Sequence, residues 1–202
     1  MSVAVPTSRS PSRPRYKLFE KDEKKYSGQF VGSALNLSKN NSSAAIIGGG
    51  DGGVARELSS KGFDLIDWYE LDPEVVKVCQ KHLLKVCGDI KANNKVKTYW
   101  GDAFESIKKV KNSKYDKIFV DLNDDQFCID LASKNMKGLK RILKPGGIIT
   151  AQVGCMSKKP RQVKNWLELL KNNFGNVVLD EVFIPSFDCR WNFASSSNKD
   201  HS

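Results

Sequence analysis

No run of eighteen apolar residues occurs in the chain, and the first positions lack the apolar stretch of a secretory signal, so neither a membrane-spanning helix nor export by that route is expected. Histidine is scarce. His82 stands in a helical pattern and His201 in the polar end of the chain, and neither makes a convincing general base. The five cysteines, Cys79, Cys87, Cys128, Cys155 and Cys189, never fall in CxxC spacing and lie mostly in apolar segments. That pattern speaks against a disulfide framework and against a metal site, and a reducing, cytoplasmic compartment is expected. Acidic residues are missing from positions 1–15, MSVAVPTSRSPSRPR, a stretch rich in arginine, proline and serine that cannot bury a core. It reads as a disordered basic arm; an organellar transit peptide would look similar.

What remains is one domain of ordinary size, with 40% hydrophobic residues in a 202-residue chain. Lysine and arginine (33) exceed aspartate and glutamate (23), a net charge of +10. The basic runs Lys108-Lys109-Lys111-Lys114-Lys117, Lys137-Lys140-Arg141-Lys144 and Lys158-Lys159-Arg161-Lys164 lack interleaved exposed aromatics. They read as solvated faces, and no nucleic-acid or membrane partner is expected. Trp68, Trp100, Trp166 and Trp191 sit in strand or amphipathic patterns and read as core.

Short runs rich in β-formers alternate with helical periodicity. AAIIG (44–48), LIDWYE (65–70), VKTYW (96–100), DKIFVD (116–121) and GIITAQV (147–153) read as strands. Pro73 to Val86 reads as a helix capped by Asp72, with Val75, Val76, Cys79 and Leu83 on one face and Gly88 past its end. Leu131 to Leu143 and Val163 to Leu170 repeat the unit. NVVLDEVF (176–183) and CRWNFAS (189–195) read as a closing antiparallel hairpin, leaving a polar tail at 196–202. The expectation is an α/β, Rossmann-like fold of the class I S-adenosylmethionine-dependent methyltransferase kind: a mostly parallel seven-stranded sheet with a C-terminal antiparallel hairpin, spanning 44–195.

Gly48-Gly49-Gly50-Asp51-Gly52-Gly53 follows a strand and opens a helix, and Glu70 ends the next strand where a ribose carboxylate belongs. A nucleoside ligand is therefore expected. Asp51 narrows the choice. A carboxylate about 4 Å from a diphosphate costs on the order of 4 kcal/mol at an effective dielectric of 20, which disfavours a dinucleotide and favours a ligand bearing an amine or sulfonium cation. The alternative is that Asp51 only caps the helix. Asp102 follows the third strand, Asp121 ends the fourth and Gln152 lies near the end of the fifth. Ligands of open parallel sheets bind at these carboxyl ends, so the acids line one rim and point to a cationic substrate.

GGGDGG (48–53), YELD (69–72), GDAF (101–104), YDKIFVDLND (115–124) and LKPGGIITAQ (143–152), in this order, resemble the successive motifs of the polyamine aminopropyltransferases, the spermidine and spermine synthase family. CGDI (87–90) and IPSFDCRW (184–191) are similar to its spermine and thermospermine branches. The resemblance implies decarboxylated S-adenosylmethionine as co-substrate, no metal, and putrescine or spermidine as acceptor. It implies that Gly48, Gly49, Gly50 and Gly53 cradle the nucleoside, that Asp51 binds its aminopropyl ammonium, that Glu70 holds the ribose, and that Asp102 with Ala103 meets the adenine. Asp121 would be the general base and Tyr26 its partner at the acceptor amine. Asp124, Gln152 and Phe187, with Asp51, would line the polyamine path.

The match has departures. The family places a small β-stranded domain before the glycine loop; here 16–43 reads as a remnant of it carrying Tyr26, so a homodimer or another chain would have to supply the lid. Ser27 stands where the family has Gln or His, Asp125 where a proline follows DxxD, and Phe187 where a tyrosine often occurs; the downstream gate loop is absent. Methyl transfer from S-adenosylmethionine, on the same fold with the same Glu70 and Asp102, is the second reading. A non-catalytic binding protein is the third, and a nicotinamide enzyme the last.

Overall fold

In the computed structural model of the chain, which describes residues 20–198, the strand-forming runs lie side by side in one sheet. They are β1 (Ser43–Gly48), β2 (Leu65–Glu70), β3 (Val96–Trp100), β4 (Tyr115–Asp121), β5 (Leu143–Cys155), β6 (Val177–Ile184) and β7 (Cys189–Ser197). Their order is β3-β2-β1-β4-β5-β7-β6, with β1 to β5 parallel and β7 antiparallel between β5 and β6. The fold is α/β and mostly parallel, with the antiparallel pair at one edge. The arm at 1–15 and the last positions of the tail lie outside the described residues.

A parallel sheet covered on both faces needs apolar residues on both sides of each central strand. Ile46 and Ile47, adjacent on β1, are both fully buried and belong to opposite cores, as strand alternation requires. Ile46 joins Phe30, Leu58, Trp68, Phe119 and Phe193 beneath α1 (Glu20–Leu37) and α2 (Gly53–Ser60). Ile47 joins Val120, Met136, Leu139, Trp166 and Leu170 beneath α6 (Gln126–Ile142) and α7 (Pro160–Phe174). Both of those helices extend beyond the apolar runs that announce them.

Asp72 caps α3 (Pro73–His82): its Oδ1 accepts from the Glu74 N–H at 2.9 Å, and Pro73 occupies the first turn. Asp72→Ala should cost about 1 kcal/mol of stability. Urea unfolding followed by far-UV circular dichroism measures it. The helix expected to run through Val86 instead breaks at Leu83 and resumes as the single turn α4 (Leu84–Cys87).

Several readings are corrected. Trp100 is 52% exposed, because β3 is a sheet edge with less cover than the central strands. Lys117 is fully buried in β4, donating to Asn40 O at 2.8 Å, and burial pushes its ammonium down to about 8. β7 runs through Ser197, past the start assigned to the tail. Serine suits that strand because Ser195 Oγ pairs with Thr150 Oγ1 at 2.9 Å and Ser196 Oγ donates to Asn176 O at 2.6 Å. Cys155 and Cys189 are joined as a disulfide, against the reading of five unpaired thiols. The antiparallel register sets Cys155 opposite Trp191, two residues from Cys189 along β7, a proximity that their spacing along the chain does not announce. Among the described residues no helix is long and apolar enough to cross a membrane.

Candidate active site

Asp121 meets the glycine loop because β1 and β4 are paired neighbours, with Gly48 opposite Asp121, and Glu70 at the end of the neighbouring β2 comes close to Gly50. Gly49 N–H donates to Asp121 O at 3.1 Å, and Gly49 has φ +70. A Cβ on Gly49 would stand 2.9 Å from Asp121 Oδ2, so only glycine lets the loop approach that carboxylate. Asp51 Oδ1 accepts from the Gly53 N–H at 2.9 Å, so the helix-capping role weighed for it is present within the loop.

Asp51 and Asp121 keep an opening to solvent but are walled by protein on most sides. Burial, then the Asp121 charge, pushes the Asp51 carboxyl up to about 8. Burial likewise raises Asp121 to about 6, against the lowering effect of the hydrogen bond from Tyr26. Glu70 is buried and also raised, mainly by burial; its Oε1 accepts from Asp72 N–H at 3.0 Å. Asp102 caps α5 (Ala103–Ile107), its Oδ1 accepting from Phe104 N–H at 2.8 Å.

Tyr26 reaches this cluster from α1. Its hydroxyl donates to Asp121 Oδ1 at 2.7 Å, and burial with the Asp121 charge holds its proton on well above the ordinary tyrosine range. The ring is fixed edge-on against Phe193 at 5.2 Å and Phe30 at 6.0 Å. Phe187, in the turn Pro185–Phe187 between β6 and β7, meets the same ring at 6.4 Å. Asp124 follows β4 in the next loop, and its charge also bears on Tyr26. Gln152 is set differently: its amide donates to Leu122 O and accepts from Trp191 Nε1 at 3.1 Å, so both ends are engaged inside the protein.

Two participants, Glu23 and Arg56, have no counterpart in the sequence reading, and a third, Lys159, stands in a run that reads there as a solvated face. Glu23, one helical turn before Tyr26, is buried, and its Oε2 accepts from Arg56 Nη1 at 2.6 Å. Its Oε1 is buried without a hydrogen bond and lies so close to Gly53 that any side chain there would collide with it. Arg56 Nη2 also donates to Ser27 Oγ at 3.0 Å, so the guanidinium engages the position where Gln or His is expected. Lys159 pairs with Asp124 at 2.8 Å. The spacing of Glu23, Tyr26 and Ser27 by three and four residues was the available signal, since it puts them on one helix face. Among the described residues no group of three or more His, Cys, Asp or Glu side chains is disposed to hold a metal ion.

The family model of the spermine/spermidine synthase domain matches residues 23–202. A polyamine aminopropyltransferase of Prochlorococcus marinus (strain MIT 9215) is 36% identical over 188 residues, covering 88% of this chain and 65% of that protein. A second, from strain MIT 9301, is 35% identical over the same length. The chain thus spans about 65% of the length of these relatives. In fold it is similar to a crystal structure of spermidine synthase in complex with the transition state analogue AdoDATO, with TM-score 0.83 and 20% identity over 90% of this chain and 64% of that one. The spermidine synthase of Thermotoga maritima gives TM-score 0.81 and 21% identity over 90% and 62%. A glycine loop carrying an acid, joined to the Tyr26–Asp121 pair across the sheet, sits within a match that takes in most of the sequence, and the chain belongs to the spermine/spermidine synthase domain family.

Proposed function

We propose that the chain transfers an aminopropyl group from decarboxylated S-adenosylmethionine to a small polyamine, putrescine or spermidine. The observation that carries the reading is the Tyr26 hydroxyl at 2.7 Å from Asp121, beside an acidic glycine loop. Family membership supports it.

The residue types fit the substrates. The loop of Gly48, Gly49, Gly50 and Gly53 gives close backbone approach to a nucleoside, Glu70 offers a buried carboxylate to ribose hydroxyls, and Asp102 with Ala103 opens the helix beside the adenine position. Asp51 answers the aminopropyl ammonium. On the acceptor side Asp124 and Phe187 offer a charge and an apolar wall, while Gln152 holds the Leu122 carbonyl and so fixes the loop that carries Asp124.

An alkyl amine with a pKa near that of lysine is protonated at neutral pH and has no free electron pair. Asp121, raised to about 6, is mostly ionised at neutral pH and takes that proton; Tyr26 keeps the carboxylate oriented. The freed nitrogen attacks the carbon beside the sulfonium. A C–N bond forms, the C–S bond breaks with its pair going to sulfur, and neutral methylthioadenosine leaves without needing an acid. Much of the rate comes from holding the two reactants in line.

The test compares binding of decarboxylated S-adenosylmethionine, S-adenosylmethionine and NAD, then assays methylthioadenosine release with putrescine and spermidine. Tightest binding of the decarboxylated nucleoside, with amine-dependent release, is expected. S-adenosylhomocysteine as the product, or binding without release, overturns the proposal.

A further inference from the structure

The loop from Cys155 to Pro160 joins β5 to α7 and touches both Asp124 and Phe187, the two residues read as lining the acceptor path. Its backbone is anchored, with Lys158 N–H and Lys159 N–H both donating to Cys155 O, at 3.2 and 2.8 Å, and its cysteine is tied to Cys189. From this loop Lys158 Nζ reaches Phe187 O at 2.7 Å, and Lys159 Nζ lies 2.8 Å from Asp124 Oδ2. Asp124 is held in place from the other side: a Cβ on Gly154 would stand 3.2 Å from its Oδ2, so the carboxylate rests on the β5 backbone. The ion pair is largely sheltered, with side-chain exposures of 26% and 14%. Lys159 also lines an open groove with Gln126, Lys158, Pro160, Arg161 and Asn165.

We infer that Lys159 is a tethered stand-in for the acceptor's remote ammonium: its side chain occupies the carboxylate that a polyamine must engage, and the polyamine binds by displacing it. The inference rests on the reading of Asp124 as an acceptor-side residue. Exchanging one alkylammonium for another at the same carboxylate changes little in kind, so the tether decides the competition. A cation fixed to the anchored loop is present at a high effective concentration, whereas the free amine must be supplied from solution. An acceptor meeting a site that is open only a fraction of the time has its apparent affinity reduced by that fraction. Lys159 therefore sets the concentration of amine at which the site fills, and it favours acceptors whose remote ammonium is strongly cationic over neutral or short amines.

The experiment titrates spermidine by calorimetry into the chain saturated with methylthioadenosine, for wild type, Lys159→Met and Lys159→Arg. Methylthioadenosine affinity, measured first, confirms that each variant keeps its fold. Lys159→Met removes the competing charge and should tighten spermidine binding about tenfold if the pair is closed roughly ten times more often than open. Lys159→Arg, whose guanidinium can grip the carboxylate through two hydrogen bonds, should weaken it. Spermidine binding that is unchanged or weaker in Lys159→Met, while wild type binds the amine, overturns this inference and leaves the proposed function standing. Chains that bind methylthioadenosine but no polyamine, in wild type and Lys159→Met alike, overturn the acceptor reading and this inference together.

Discussion

Asp121→Asn is expected to lower methylthioadenosine release by about two to four orders of magnitude while leaving nucleoside affinity largely intact. Asparagine has the shape of aspartate, and its amide oxygen can still accept the Tyr26 hydrogen bond made now at 2.7 Å, so the packing of α1 against the site should survive. What it lacks is a site of suitable basicity for the proton on the acceptor amine. Burial holds Asp121 at about 6, close enough to neutrality for it to be ionised before the reaction and still to accept a proton during it. Single-turnover release with saturating amine isolates the chemical step, and equilibrium binding of methylthioadenosine supplies the comparison. A variant that turns over normally places the base elsewhere. One that raises only the amine concentration needed for half-maximal rate makes Asp121 a binding group.

The affinity for decarboxylated S-adenosylmethionine should rise steeply with pH. Asp51 sits at about 8 in the ligand-free chain, so at neutral pH it is mostly protonated and offers little attraction to a cation. A bound ammonium favours the ionised form and must expel that proton, so below about pH 8 affinity gains roughly tenfold per unit, and close to fifty-fold from about pH 6 to about pH 8. Above that the curve flattens, because Asp51 is already ionised, and it does not fall until about pH 10, where the aminopropyl ammonium loses its own proton. The rising slope counts the one proton lost, and the surroundings set only the pH at which it is lost: burial, Asp121 and Glu23 push the Asp51 carboxyl up, and the Gly53 N–H and Arg56 pull it down. Asp121 titrates in the same range, so the profile belongs to the pair of acids and not to Asp51 alone. Methylthioadenosine, which lacks the ammonium, is the control and should show a much shallower dependence. Calorimetry in buffers of different ionisation enthalpy would count the released proton. Equal profiles for the two nucleosides would separate Asp51 from the aminopropyl group.

The central strands were legible in the sequence because a strand covered on both faces needs adjacent apolar residues, and AAIIG, LIDWYE and DKIFVD each carry such a pair or run, Ile46-Ile47, Trp68-Tyr69 and Ile118-Phe119-Val120. The acids at their ends were legible for a related reason: a parallel sheet puts all its strand ends on one side, so position in the chain translates directly into position on the rim. Helix α1 was not. Its buried face carries Asp22, Glu23, Ser27 and Ser33 beside Tyr26, Phe30 and Val31, which dilutes the apolar period that a reader follows. The two acids are buried because they have partners far away in sequence, Asp22 Oδ2 accepting from Ser186 N–H at 2.9 Å and Glu23 holding Arg56, while Ser27 and Ser33 donate to carbonyls one turn back in the helix. The same blindness applies to lysines. Lys114 and Lys144 look like members of solvated runs, yet they pair with Asp67 and Asp116, and Arg141 donates to the carbonyls of Ile107 and Val110. Composition counts these charges but does not say which of them face a carboxylate or the open end of a helix. Lys159 belongs with them. Its meeting with Asp124 is set by the exit of β5 into α7, a geometry that emerges only when the sheet is assembled.

Phe30 on α1 stacks on Phe193 of β7 with ring centroids 4.9 Å apart, and the ring of Tyr26 leans on the same side chain. The first described helix and the last described strand therefore pack together through Phe193. During synthesis the glycine loop and Asp121 leave the ribosome well before the strand against which Tyr26 must brace. A nascent chain halted short of β7 would hold Asp121 without the Phe193 side chain on which the tyrosine ring leans.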